Sequence, residues 1–219
     1  MPGSQGVHDA HEEAANSLSH GVALLGACLV VPELLRSAQH AQGASYLGVL
    51  VFVVTMALLY AASTIYHALP PGRFKQCFLK LDHAAIYLFI AGSYTPFALG
   101  SPDDSLFNGI GLALVWLAAA AGFTLKVLSR LASPLLSTAL YVVMGWLVLL
   151  AALPLMGHVP AVSAAWLVIG GAAYTLGLVF LAFDATVRYA HAVWHGFVAA
   201  GTACHTLALL SSLSHPWRS

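Results

Sequence analysis

The sequence predicts an all-α integral membrane protein: a single domain over residues 1–219, folded as a bundle of seven transmembrane helices. Three observations carry this expectation. Hydrophobic residues make up 60% of the 219 positions and charged residues only 7%, with a mean hydropathy of +0.85, whereas about 25% charged is usual for a soluble domain. Apolar runs of bilayer-crossing length, about 20 residues, recur along the chain between short polar breaks. Eleven histidines outnumber the eight lysines and arginines, and several lie inside those runs, where an ionisable side chain is costly and by default marks a functional site.

Residues 1–14 are small and polar, with His8, His11, Glu12 and Glu13 but no Lys or Arg. They lack the positive start of a secretory signal and read as a retained cytoplasmic tail. The first run, about Asn16 to Leu35, closes at Pro32, Glu33 and Arg36. The second, about Ser45 to His67, stops at Pro70-Pro71-Gly72, because tandem proline cannot continue a helix. The third, about Leu79 to Leu99, carries Pro96 near its far end, a kink signal, and Asp103-Asp104 makes the next loop. Runs at about Phe107 to Leu125, Leu135 to Met156 and Ala161 to Phe183 follow, and the seventh is Ala190 to Leu213. No internal repeat suggests a two-halved transporter.

Basic residues set the orientation. Arg73, Lys75, Lys80, Lys126, Arg130 and Arg188 lie in loops on one side, against Arg36 and Arg218 on the other. The positive-inside rule places the N-terminus in the cytoplasm and the C-terminus outside. Zero formal net charge and the lack of a basic block give no sign of a nucleic-acid partner. Cys28, Cys77 and Cys204 form no CxxC pair and read as apolar filler.

The histidines that matter are few. His191 and His195, four apart, project from one helix face. With this topology they share one membrane depth with His67 at the end of the second run and Asp82 at the start of the third. Three neutral imidazoles with a position left open for water is the pattern of a catalytic zinc site, where a structural site is closed by four protein ligands. Ser63, one turn before His67, faces the same way and can bond water or a carbonyl. Asp82 can orient a ligand or accept a proton. Glu12, Asn16 and His20, at i, i+4 and i+8, approach the same depth; a supporting role around the metal and simple helix entry and packing explain them about equally. His205 lies about 21 Å along the helix from His191 and cannot share its ion; it reads as a cavity-lining or hydrogen-bonded core residue. His83 is expected at the interface, and Asp184 with Arg188 as a solvated pair.

Taken together, Ser63-x3-His67, the segment Leu81-Asp82-His83 through Ser93-Tyr94-Thr95-Pro96-Phe97, and His191-x3-His195 resemble the three motifs of the haemolysin III family. This is the bacterial branch of the progestin and adiponectin receptor group, related to the alkaline ceramidases. Glu12-x3-Asn16-x3-His20 is similar to the family's opening motif. The resemblance covers nearly the whole chain. It implies a seven-helix bundle in the cell membrane (the inner membrane in bacteria) with Zn2+ held by His67, His191 and His195 and contacted by Asp82 through water. It also implies hydrolase-like chemistry on lipid amides in eukaryotic relatives, and haemolysis or membrane-lipid homeostasis in bacterial ones. Expected partners are membrane lipids and a lipid substrate or ligand; the sequence names no protein partner. Three functions follow: a zinc hydrolase with Asp82 as base and Ser63 or zinc at the oxyanion, a lipid-sensing regulator with structural zinc, and a cytolysin. A pore is disfavoured by the scarcity of charges. Bis-histidine haem ligation is weaker still, because two histidines on one helix cannot take opposite axial positions.

Overall fold

The computed structural model describes residues 9–40, 45–101, 106–131 and 133–214. Residues 1–8 of the expected tail, the Asp103-Asp104 loop, Trp217 and Arg218 lie outside them. Seven α-helices follow in chain order among the described residues: α1 (Ala10–His40), α2 (Ser45–Ala68), α3 (Arg73–Gly100), α4 (Leu106–Val127), α5 (Pro134–Ala152), α6 (Ala161–Ala182) and α7 (Ala190–Ser214). A short 3-10 turn, Leu153–Gly157, extends α5.

Six of the seven, all but α3, are long and apolar enough to cross a membrane. Their outward faces carry side chains no water-soluble bundle would present, among them Leu29 at 84% exposure and Leu117 at 66%, so the solvent they fit is lipid. α3 differs for a physical reason. It is wrapped by other helices, with thirteen buried residues between Asp82 and Ala98, and a helix that faces protein rather than lipid can carry Asp82, Ser93, Tyr94 and Thr95. It also begins with Arg73, Lys75 and Lys80, which lower its hydropathy.

α1 begins at Ala10 and runs through Pro32 to His40, so residues 10–14 of the expected tail are helix and the proline does not end it. Asp9 supplies the start. Its carboxylate accepts from the Glu12 backbone N–H at 2.8 Å while Glu12 Oε2 accepts from the Asp9 N–H at 3.1 Å. This reciprocal capping box satisfies two N–H groups that a helix start leaves orphaned. Pro96 lies inside α3.

Packing runs α1 on α2, α2 on α3, α3 on α4 and α4 on α5, with α6 on α7 and α7 back on α1. Among the described residues α5 and α6 do not form such a pair. Close approach of α2 and α3 depends on Gly92, where a Cβ would overlap the Thr55 side chain. Two apolar cores result. One, including Leu34, Phe52, Met56, Phe89 and Leu209, joins α1, α2, α3 and α7; the other, including Tyr87, Tyr94, Val115, Tyr141 and Leu155, joins α3, α4 and α5. Between them lies a cavity of about 1770 Å³.

Candidate metal centre

Three elements converge at one end of this cavity. α2 ends with His67, α3 brings in Asp82, and the first turns of α7 carry His191 and His195; all four line the cavity wall. His67, His191 and His195 each offer a ligand atom, and these atoms lie within 4.8 Å of one another. The rings stand edge to face, with centroids 5.1 Å apart for His67 and His191, 5.2 Å for His67 and His195, and 4.5 Å for His191 and His195. Rings splayed in this way direct nitrogens toward a common point instead of stacking.

Each imidazole is held from behind through Nδ1. His67 Nδ1 meets Glu13 Oε2 at 2.9 Å, His191 Nδ1 meets Asp184 Oδ2 at 3.1 Å, and His195 Nδ1 meets the Asn16 carbonyl at 3.1 Å and Ser19 Oγ at 2.9 Å. A metal-binding histidine characteristically gives its second ring N–H to a carboxylate or carbonyl, which fixes the tautomer and leaves the other nitrogen for the ion. His67 Nε2 is buried and has no hydrogen-bond partner, a state that costs free energy unless something binds it. Three imidazoles offering one nitrogen each, that of His67 buried and unpartnered, fit a divalent transition metal, and imidazole suits zinc, copper, iron and nickel alike.

Glu13 and Asp184, which hold His67 and His191, are not singled out by the sequence. Glu12, Asn16 and His20 run down one face of α1, whereas Glu13 begins the neighbouring face with Ser17, whose hydroxyl donates to the Thr64 carbonyl at 3.0 Å. That face packs on α2, so Glu13 reaches His67. Lys75 secures it: the ammonium donates to Glu13 Oε2 at 3.0 Å and to the Tyr66 and Leu69 carbonyls at 3.0 and 3.1 Å, as a cation at a helix C-terminus does.

The first face has a different fate along its length. Glu12 caps α1 and accepts the Tyr189 N–H at 3.0 Å. Asn16 is fully buried with both side-chain polar atoms unpartnered, and gives only its backbone carbonyl to His195. His20 lies flat on His195, centroids 3.6 Å apart at 14°, so its nitrogens run alongside those of His195 without joining the group of three. The expected Asp184–Arg188 pair is corrected. In the turns over residues 183–189, Arg188 instead pairs with Asp9 at 3.0 Å and Asp184 with His191.

Asp82 stands beside the three histidines but outside their 4.8 Å group. It is buried, with Oδ2 3.9 Å from His83 Nδ1, and lies in the field of His191, Ser63 and Lys126. Ser63 is fully buried on α2 and its Oγ makes no hydrogen bond of good geometry, although it is near enough to Asp82 to act on the carboxylate. His83, expected at the interface, is half-buried on the cavity wall, with Nδ1 2.8 Å from the Leu79 carbonyl. His205 also lines the cavity, on the α7 wall.

Six apolar helices around a histidine cluster define a multi-pass membrane protein with a metal-capable centre. The family profile described as "Haemolysin-III related" matches residues 8–206. The chain is 34% identical over 203 residues to the Hemolysin-3 homolog of Bacillus subtilis (strain 168), covering 91% of this chain and 93% of that one. It is 35% identical over 196 residues to Hemolysin-3 of Bacillus cereus, covering 88% and 87%. The human monocyte to macrophage differentiation factor is similar at 29% identity over 208 residues, covering 91% and 83%. The chain therefore belongs to the haemolysin III family, and its place is the cell membrane.

Proposed function

We propose that the protein is a zinc-dependent hydrolase of lipid amides whose centre faces the cytoplasm. The observation that carries this reading is the joining of a three-histidine cluster, each ring held through Nδ1, to a large and mainly apolar cavity with the buried Asp82 carboxylate on the wall beside it. The cavity suits a lipid chain. Among the described residues α5 and α6 pack little on each other while both line the cavity, and this seam is the proposed side entrance from the bilayer.

His67, His191 and His195 are the residues to hold the ion. The chemistry a bound zinc supplies here is polarisation of a carbonyl and activation of water at neutral pH. Asp82 is placed to accept the proton of the attacking water, and Ser63, fully buried beside Asp82, is assigned to donate to the carbonyl oxygen as charge develops on it, on a small shift of its side chain. α3 crosses the membrane as the seventh span, its polar residues covered by its neighbours, which puts the N-terminus inside and the C-terminus outside.

Purified, zinc-loaded protein incubated with a ceramide tests the reading. Release of free fatty acid that is lost in Asp82→Asn with zinc content retained is the expected result. Retained zinc with no release by the wild type favours a lipid sensor with structural metal. The Hemolysin-3 name of the relatives raises cytolysis; a mostly apolar cavity gives it no aqueous path.

A further inference from the structure

The geometry points to an anion subsite at Lys126, whose ammonium receives a negatively charged oxygen of a lipid head group seated beside the metal centre. The inference deepens the lipid-site reading above by naming the class of head group, and it rests on that reading. Lys126 sits in the last turn of α4. It is half-buried and lines the cavity together with Asp82, His83, Ser137 and Tyr141. Asp82 lies in the fields of both His191 and Lys126, so a head group held at the histidines has the ammonium within reach.

The ammonium ends a hydrogen-bond chain whose direction is fixed. The His83 carbonyl can only accept, and the Tyr141 hydroxyl donates to it at 2.9 Å. Ser137 Oγ therefore donates to the Tyr141 oxygen at 3.0 Å, which leaves its lone pairs to accept from Lys126 Nζ at 3.4 Å. An ammonium has three donors and no acceptor, and this long bond engages one of them. Among the described residues Nζ makes no other hydrogen bond and no ion pair, and Asp82 acts on it only through space. Two N–H donors are left for a ligand.

A cation near a helix C-terminus usually serves the carbonyls left open there. Lys75 does this for α2 and pairs with Glu13 besides. α4 has no such need, because the N–H groups of Leu128, Ser129 and Arg130 already bond the carbonyls of Thr124, Lys126 and Leu125. A cation on a cavity wall with neither a counter-ion in contact nor a carbonyl to serve is costly in a membrane bundle and calls for a partner. An anionic oxygen meets that need with bonds about twice as strong as a neutral acceptor gives. The class of lipid this fits carries a phosphate or carboxylate in its head group.

The test compares a short-chain ceramide with its 1-phosphate, a pair that differs only in the anionic group, binding to zinc-loaded full-length protein in phosphatidylcholine nanodiscs. The wild type is expected to bind the phosphate-bearing lipid about tenfold more tightly, the worth of one charge-assisted hydrogen bond. Lys126→Met should bring the two affinities together while ceramide binding is kept, and Lys126→Gln repeats the loss of charge in case the methionine variant fails to fold. Arg130→Met removes an exposed charge that does not line the cavity and should keep the preference. Inorganic phosphate should displace neither lipid. Equal affinities in the wild type, a preference that survives both Lys126 substitutions or is lost in Arg130→Met, or displacement by inorganic phosphate overturns the subsite. Turnover is scored separately: a protein that cleaves ceramide yet ignores the phosphate defeats this inference alone, and one that keeps the Lys126-dependent preference without cleavage defeats the hydrolase reading alone.

Discussion

A neutral imidazole binds a cation with one nitrogen and is aimed by whatever holds the other, so Glu13 and Asp184 decide where His67 and His191 point. Glu13→Gln and Asp184→Asn keep the side-chain shape and remove the charge. Each should lower zinc affinity by about 10–100-fold, with full occupancy recovered at high zinc supply; titration against a competing chelator measures this, and unchanged affinity in both variants would remove them from the site. His67→Ala, in contrast, should abolish stoichiometric binding. The clustering of His67, His191 and His195 was legible because spacing on one helix and position at span ends are sequence properties. Glu13 was not, since it differs from Glu12 by one position and only the packing of α1 against α2 selects between them. Asp184 was hidden because sequence does not say how the loop before α7 turns, and there it brings the carboxylate to His191 and not to Arg188.

At the scale of elements, the start of α1 and the loop entering α7 are tied together. Tyr189 adopts φ 61° immediately before α7, a left-handed conformation costly for a residue with a Cβ, and its N–H is held by Glu12. Glu12→Ala should lose both the cap and the tie, costing about 1–2 kcal/mol, whereas Tyr189→Gly should relieve about 1 kcal/mol of strain; thermal melting in detergent reads both, and a stabilised Glu12→Ala or a destabilised Tyr189→Gly would contradict the account. Asp9 belongs to the same tie. Its carboxyl is held below the ordinary 3.8, first by the Glu12 backbone N–H, against a desolvation effect, and then by Arg188; its contribution is therefore present at neutral pH and lost as pH falls through the lowered value. Packing gives a further prediction. Gly92→Ala sets a methyl against Thr55 and should destabilise by about 1–3 kcal/mol, with Thr55→Ala in the same chain restoring much of the loss. Helix number and most boundaries could be read from apolar runs and proline breaks. The early start of α1 could not, because Ala10–Ala15 is polar and its helicity depends on the Asp9–Glu12 cap and on docking to α2 and α7.

For the whole molecule, hydropathy marks six helices as long and apolar enough to span, and α3 is the one it leaves out: a helix enclosed by protein is released from the composition that lipid demands. The proposed topology predicts that a reporter inserted at Arg73 is cytoplasmic and one fused after Ser219 extracytoplasmic; the reverse labelling would turn the site to the other face. The three histidines also join distant parts of the chain, His67 from α2 with His191 and His195 from α7, so an ion held among them binds the folded bundle and not the unfolded chain. Such a ligand raises stability by mass action. The most direct measurement is therefore elemental analysis of purified wild type, His67→Ala, His191→Ala, His195→Ala and His205→Ala, with melting temperature recorded for each. The account predicts one zinc per chain in the wild type and in His205→Ala, and loss of zinc together with a lowered melting temperature in the other three. Zinc retained at one per chain in all three, or lost from His205→Ala, would contradict it.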